Sequence, residues 1–215
     1  MAPSLDLKML HRGSTAWNSW RRDTPELKPN LERARLEGSD LYGFDFSNTN
    51  LCYADLRRCD LRRVNFSSVD LKHADLYGSD ARGANFTSAK LHETWLNRVD
   101  LRGANLEGAA CWEGQFRFAD LRGATLKRAD LSYVSMLYAR LVHADLTDSK
   151  LSSDLAGADL SHAVLRGADL LQCDFREATL VGTDFRQAKV RWHSFSEAQL
   201  ADPEIMKQLE AIWNE

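Results

Sequence analysis

The chain of 215 residues is 44% hydrophobic and 27% charged, enough apolar material for one core and short for two independent ones. Its 28 Lys and Arg against 31 Asp and Glu give a net charge of -3, which excludes an overall basic nucleic-acid binder and an acidic tail. No apolar run approaches the roughly 18 residues of a membrane span, and Asp6 and Lys8 interrupt the start of the chain, so a cytoplasmic protein with no membrane partner is expected.

At the N-terminus, Leu5, Leu7, Leu10, Trp17 and Trp20 surround Ser14, and Pro25 and Pro29 separate them from the rest of the chain. This pattern predicts a helical cap over 1–28. From residue 29 to residue 200 the chain repeats every five residues. Leu or Phe stands at every fifth position from Leu31 to Leu151, with Ala81, Cys111 and Met136 as exceptions, and again from Leu155 to Leu200, with Val190 as the exception. Two residues before each centre the side chain is small, most often Ala, apart from Pro29, Phe44 and His193. One residue before it, Asp or Asn predominates.

A period of five matches neither the 3.6 of a helix nor the 2.0 of a strand, so only a chain that turns once per repeat keeps its large residue on one side. The small and large residues then point inward and the other three outward. Phe46, Phe66 and Phe86 are twenty residues apart, as are Phe175 and Phe195, which makes four sides per coil. Coils stacked at strand spacing give a rod of about 40 Å. Alanine allows the backbones to approach at the corners, and Asp or Asn bonds the turn backbone locally.

Units such as Ala54-Asp55-Leu56-Arg57-Arg58 and Ala168-Asp169-Leu170-Leu171-Gln172 resemble the pentapeptide-repeat family over 29–200. The resemblance implies an all-β solenoid, a right-handed quadrilateral β-helix, here with short helical caps at both ends. It also implies two possible properties of a rod: tail-to-tail homodimers, and protection or inhibition of a type II topoisomerase such as gyrase by occupying its DNA site. Between Leu151 and Leu155 the frame loses one residue, which predicts a distorted corner with weakened pairing at 151–155.

Asp202 and Pro203 read as the cap and first residue of a C-terminal amphipathic helix within 201–215. Ile205, Leu209 and Ile212 share one face with Trp213 beside it. That helix either covers the open end of the rod or joins two copies.

Catalysis needs convergent groups in a concavity, and a rod closed by Leu and Phe offers none; no nucleophile elbow, phosphate loop or HExxH motif is present. No catalytic residue, cofactor or metal is expected. His143 and His162 fall at equivalent places on adjacent coils, but two imidazoles fall short of a metal site. Cys52, Cys59, Cys111 and Cys173 lack CxxC spacing and read as reduced, with Cys52 alone facing water.

With the sides named first to fourth from Leu31, Leu36, Leu41 and Phe46, the third carries an Asp column (Asp60, Asp80, Asp100, Asp120) beside an Arg column (Arg62, Arg82, Arg102, Arg122). The two neutralise one another. The first carries Tyr53, Trp112, Tyr133 and Trp192, and the second Trp95, Arg98, Arg117, Phe118, Leu137 and Tyr138. Exposed aromatics grouped with Arg make up binding hot spots, although aromatics also stack along a β-helix as ladders.

The sequence therefore predicts a non-catalytic scaffold that binds a protein partner through Trp95, Arg98, Arg117, Phe118, Leu137 and Tyr138. The alternative is a DNA-mimicking protector or inhibitor of a type II topoisomerase, for which Asp145 and Asp148 are the nearest acidic cluster. No side carries the acidic excess that mimicry of a duplex requires, and no direct nucleic-acid binding is expected.

Overall fold

The computed structural model describes residues 5–213; residues 1–4 and 214–215 of the expected caps lie outside the described residues, as do the side chains of Leu5 and Ala198. Between the caps the chain is a right-handed quadrilateral β-helix. In most repeats the carbonyl of the central residue accepts a hydrogen bond from the N–H three residues on, as Leu51 does from Ala54 at 3.0 Å. The second residue after the centre takes a left-handed φ, 58° at Tyr53 and 56° at Arg58, which makes the corner a type II turn. Gly103 and Gly123 occupy that place at no steric cost.

Successive coils pair in parallel through single bridges twenty residues apart, such as Asp60↔Asp80. The Leu51 N–H donates to the Asp70 carbonyl at 2.7 Å, and the Asp55 N–H to that of Ala34 at 2.9 Å. The centres fill the interior: Leu56, Leu101 and Leu126 are fully buried, and Phe46, Phe66 and Phe86 stack with centroids 5.7 and 4.9 Å apart. Ser79 and Thr94, at the small inward position, satisfy their hydroxyls on the preceding coil, Ser79 Oγ by donating to the Leu56 carbonyl at 2.6 Å and Thr94 Oγ1 to that of Leu71 at 2.9 Å.

At the frame slip, where a distorted corner is expected, the two coils stay paired with a break in register. The four-residue side has too few residues for a turn, so it runs extended as β2 (Lys150–Asp154) and pairs at Lys150, Leu151, Ser152 and Asp154 with β1 (Asp130–Ser135) one coil earlier. The irregularity moves into β1, where the register shifts between Ser132 and Ser135 in the manner of a bulge. Ser153 fills the inward position and donates to the Leu131 carbonyl at 2.8 Å. Bridges across the slip, such as Arg140↔Asp159, span nineteen residues, and the spacing of twenty returns at Asp154↔Asp174.

Both ends are closed by side-chain amides and indoles that take the place of the missing coil. At the N-terminus α1 (Leu5–Leu10) and α2 (Ser14–Asp23) lie across the first coil. The Trp17 ring is fully buried 5.4 Å from Phe46, and its Nε1 donates to the Asp45 carbonyl at 2.7 Å. Asn18 bonds the Gly43 carbonyl and the Asp45 N–H, while Arg21, buried, donates to the Leu27 and Ser47 carbonyls.

The regular repeats stop short of residue 200. The last pentapeptide forms α3 (Glu197–Leu200), because Ser196 and Gln199 make a capping box. The Gln199 amide then donates to the carbonyls of Phe175 and Ala178. Asp202 caps α4 (Pro203–Trp213), accepting from the Glu204 N–H at 2.9 Å, and Gln208 on that helix bonds both Phe185 N–H and the Thr183 carbonyl. An edge that would otherwise template aggregation is thereby paired.

Candidate protein-interaction surface

Along the third side the Asp column and the Arg column beside it answer to the fold. Asp60, Asp80, Asp100 and Asp120 each accept from the N–H two residues on and from the Arg at that same position, as in Arg62 Nε to Asp60 Oδ1 at 2.8 Å. On the fourth side Asn85 caps the Thr87 N–H at 3.1 Å and donates along the rod to Asn65 at 3.2 Å. These are Asx turns linked into ladders.

That rule lapses at one corner. On the first side Lys90 and Ala110 replace the capping residue on consecutive coils, and on the second side Trp95, Gln115 and Ser135 replace it on three. Between residues 30 and 189 the cap is elsewhere missing only singly. Asp75 still caps the Tyr77 N–H at 2.9 Å and Asp154 the Ala156 N–H at 3.1 Å, so the gap is bounded on both flanks. Within it the Arg117 N–H turns to Asn97 of the neighbouring coil, at 3.0 Å. The run of replacements is present in the sequence, and grouping the outward residues by side alone passes over it.

The six residues expected to form the surface divide into two arrangements. Arg98, Phe118 and Tyr138 form one stack at the corner: the Arg98 guanidinium lies 5.1 Å from the Phe118 centroid, and Phe118 and Tyr138 are parallel at 5.3 Å. Tyr138 in turn lies over Gly157, where an added Cβ would come within 2.5 Å of its ring. Trp95 stands outside that stack, 56% exposed. It lies in a shallow groove with Asn97, Gln115 and Arg117 on one wall. The other wall is His73, Glu93, Glu113 and Tyr133, from the corner before it. Leu137 is half-buried, and its carbonyl accepts from the Phe118 N–H at 3.0 Å.

The family model for pentapeptide repeats matches residues 30–67, 65–103, 100–134, 115–148 and 153–191, most of the chain. The chain is a pentapeptide-repeat protein. Among solved structures it is similar to a trypsin-treated form of QnrB1, a plasmid-mediated fluoroquinolone resistance protein, with 21% identity over 86% of this chain and 92% of that one and a TM-score of 0.67. It also matches HetL, a pentapeptide repeat protein involved in heterocyst differentiation regulation from Nostoc sp. strain PCC 7120, with 28% identity over 80% of this chain and 93% of that one and a TM-score of 0.43. No curated protein matches it.

Elsewhere on this repeat protein, His143 and His162 stack at 5.1 Å, and among the described residues no three His, Cys, Asp or Glu side chains converge as a metal site would require. Cys52 lies half-buried with its Sγ 3.1 Å from Asp70 Oδ1, and burial and then that carboxylate push its thiol up to about 11. A thiol held protonated is a poor nucleophile. The apolar face of α4 is turned onto its own rod, with Leu209 fully buried, Ile205 nearly so and Ile212 packed against the core; Trp213 donates to the Val190 carbonyl at 3.1 Å. No described helix is long and apolar enough to cross a membrane.

Proposed function

We propose that this pentapeptide-repeat protein is a non-catalytic cytoplasmic scaffold that binds a protein partner through the side bearing Trp95, Arg98, Arg117, Phe118, Leu137 and Tyr138. The observation that carries the proposal is the lapse of the capping rule. A coil keeps Asp or Asn before its centre because that side chain satisfies the turn, and a hydrogen bond of this kind is worth about 1 kcal/mol. At Trp95 and Gln115 the fold forgoes that bond on successive coils and exposes a large indole beside an Arg117 side chain that no carboxylate among the described residues pairs. Trp and Arg are the residue types that carry binding energy at interfaces.

The test is capture from the native host followed by rebinding of the purified captured protein. Trp95→Ser with Arg117→Ser abolishes capture at an unchanged melting temperature, and Arg102→Ser on the third side leaves capture intact. Equal capture by all three proteins removes the proposal. Protection or inhibition of a type II topoisomerase is the second reading, supported by the likeness of the fold to QnrB1. It ranks lower because the Asp columns that could stand in for phosphates are neutralised by their own Arg residues.

A further inference from the structure

We propose that the groove beside Trp95 receives the guanidinium of an arginine from a basic segment of the protein partner. This rests on the reading of the same corner as the partner surface and adds the chemistry it recognises. The rod itself shows how stacked carboxylates are satisfied. Arg57 sits 2.6 Å from Asp55 and 3.7 Å from Asp75 of the next coil. Arg62, Arg82 and Arg102 likewise straddle Asp60 and Asp80, Asp80 and Asp100, and Asp100 and Asp120.

Glu93 and Glu113 occupy the same place on adjacent coils and line one groove, and among the described residues no cation straddles them. His73 is 3.4 Å from Glu93, whereas the Glu113 carboxylate has no ion pair or hydrogen bond among the described residues. Like charges facing each other along a β ladder repel, and a planar guanidinium between them answers both.

The second half of the site is aromatic. Three exposed rings of the rod carry an Arg: Arg98 lies 5.1 Å from Phe118, Arg33 5.4 Å from Tyr53 and Arg62 5.5 Å from Tyr42. Trp95, the best ring type for a cation, carries none among the described residues, and Tyr133 across the groove is 61% exposed. Two carboxylates and a free indole in one groove match a guanidinium better than an ammonium, because the planar group can both fork onto carboxylates and lie flat on a ring. Arg117 lines the same groove and suits an acidic residue flanking the partner's arginine.

The probe is a blocked glycine–serine peptide with one arginine and one glutamate, titrated into the full-length 15N-labelled protein. The Trp95 indole N–H signal is assigned by its loss in Trp95→Phe. The expected result is a saturable shift of that signal that vanishes when citrulline replaces arginine and needs at least fivefold more peptide in Glu93→Gln/Glu113→Gln. An equal shift with the citrulline peptide, an unchanged titration in the Glu variants, or no shift overturns the proposal, as does tighter binding of a phosphorylated peptide or an oligonucleotide at the same signal. If it fails while Trp95→Ser/Arg117→Ser still abolishes partner capture, the arginine assignment falls and the partner surface stands. If capture also survives that variant, both fall.

Discussion

The third side of the rod and the corner between its first and second sides are built from the same repeat, yet their outward residues serve different masters. On the third side Asp60 to Asp120 cap turns and Arg62, Arg82 and Arg102 pair across coils, so these exposed residues have a structural task. At the other corner Lys90, Trp95, Ala110, Gln115 and Ser135 stand where the capping Asp or Asn would be, and only Lys90 still pairs across coils, with Asp70. In a solenoid the interior dictates the inward residues everywhere, so functional surface is found where the outward residues stop serving the coil.

The contrast holds only if the interior is equally demanding beneath both surfaces. Leu101→Ala, fully buried beneath the third side, costs about 2 to 5 kcal/mol because a column flanked by rigid coils cannot close around the void. Leu96→Ala, fully buried beneath Trp95, costs the same within about 1 kcal/mol. Urea unfolding measures both, and a much smaller loss at Leu96 would mean that the corner is loosely built rather than functionally specialised.

Acid should act on the paired carboxylates. The guanidiniums of Arg62, Arg82 and Arg186 hold Asp60, Asp80 and Asp184 below the usual carboxylate range, with Asp184 at about 2. Carboxyls depressed in the folded state contribute stability that is complete above their unfolded value near ~4 and is lost as the pH falls through the folded one. The melting temperature is expected to be unaffected by these groups from about pH 7 to about pH 5 and to drop between about pH 4 and about pH 2. In Arg62→Gln/Arg82→Gln that acid-linked drop shrinks. An unchanged drop would show that the paired column does not contribute to it.

Exchanging cap residues sharpens the contrast on a smaller scale. Asn85→Trp removes the cap of the Thr87 N–H and a rung of the amide ladder, with an expected loss of about 1 kcal/mol. The smallest effect is expected on gyrase. The protein at concentrations comparable to the enzyme neither inhibits supercoiling nor rescues it from a quinolone. A dose-dependent effect that disappears in Asp145→Asn/Asp148→Asn would promote the second reading.

Most of the fold is legible in the sequence because one constraint repeats: the five-residue spacing of Leu and Phe marks the buried column directly. What the sequence hides depends on neighbours in space. The missing residue between Leu151 and Leu155 is visible, but its conversion of two coil sides into β1 and β2 depends on the side stacked above it. The last pentapeptide carries the spacing of a coil side, and the reciprocal bonds of Ser196 and Gln199 make it a helix instead. The candidate surface is legible as a set of residues and not as an arrangement, because assigning residues to sides does not separate the corner stack of Phe118 and Tyr138 from the groove of Trp95.

On the proposed function Trp95 and Gln115 stand where they do for a partner and against the preference of the coil, and restoring the coil's own residue at both places tests this most directly. Trp95→Asn/Gln115→Asn returns the cap residue to both coils, and melting and partner capture are measured on one preparation of it. The expected result is a melting temperature equal to or above that of the natural chain, together with loss of capture. A lower melting temperature with capture intact would show that these residues stabilise the rod and would contradict their assignment to a partner.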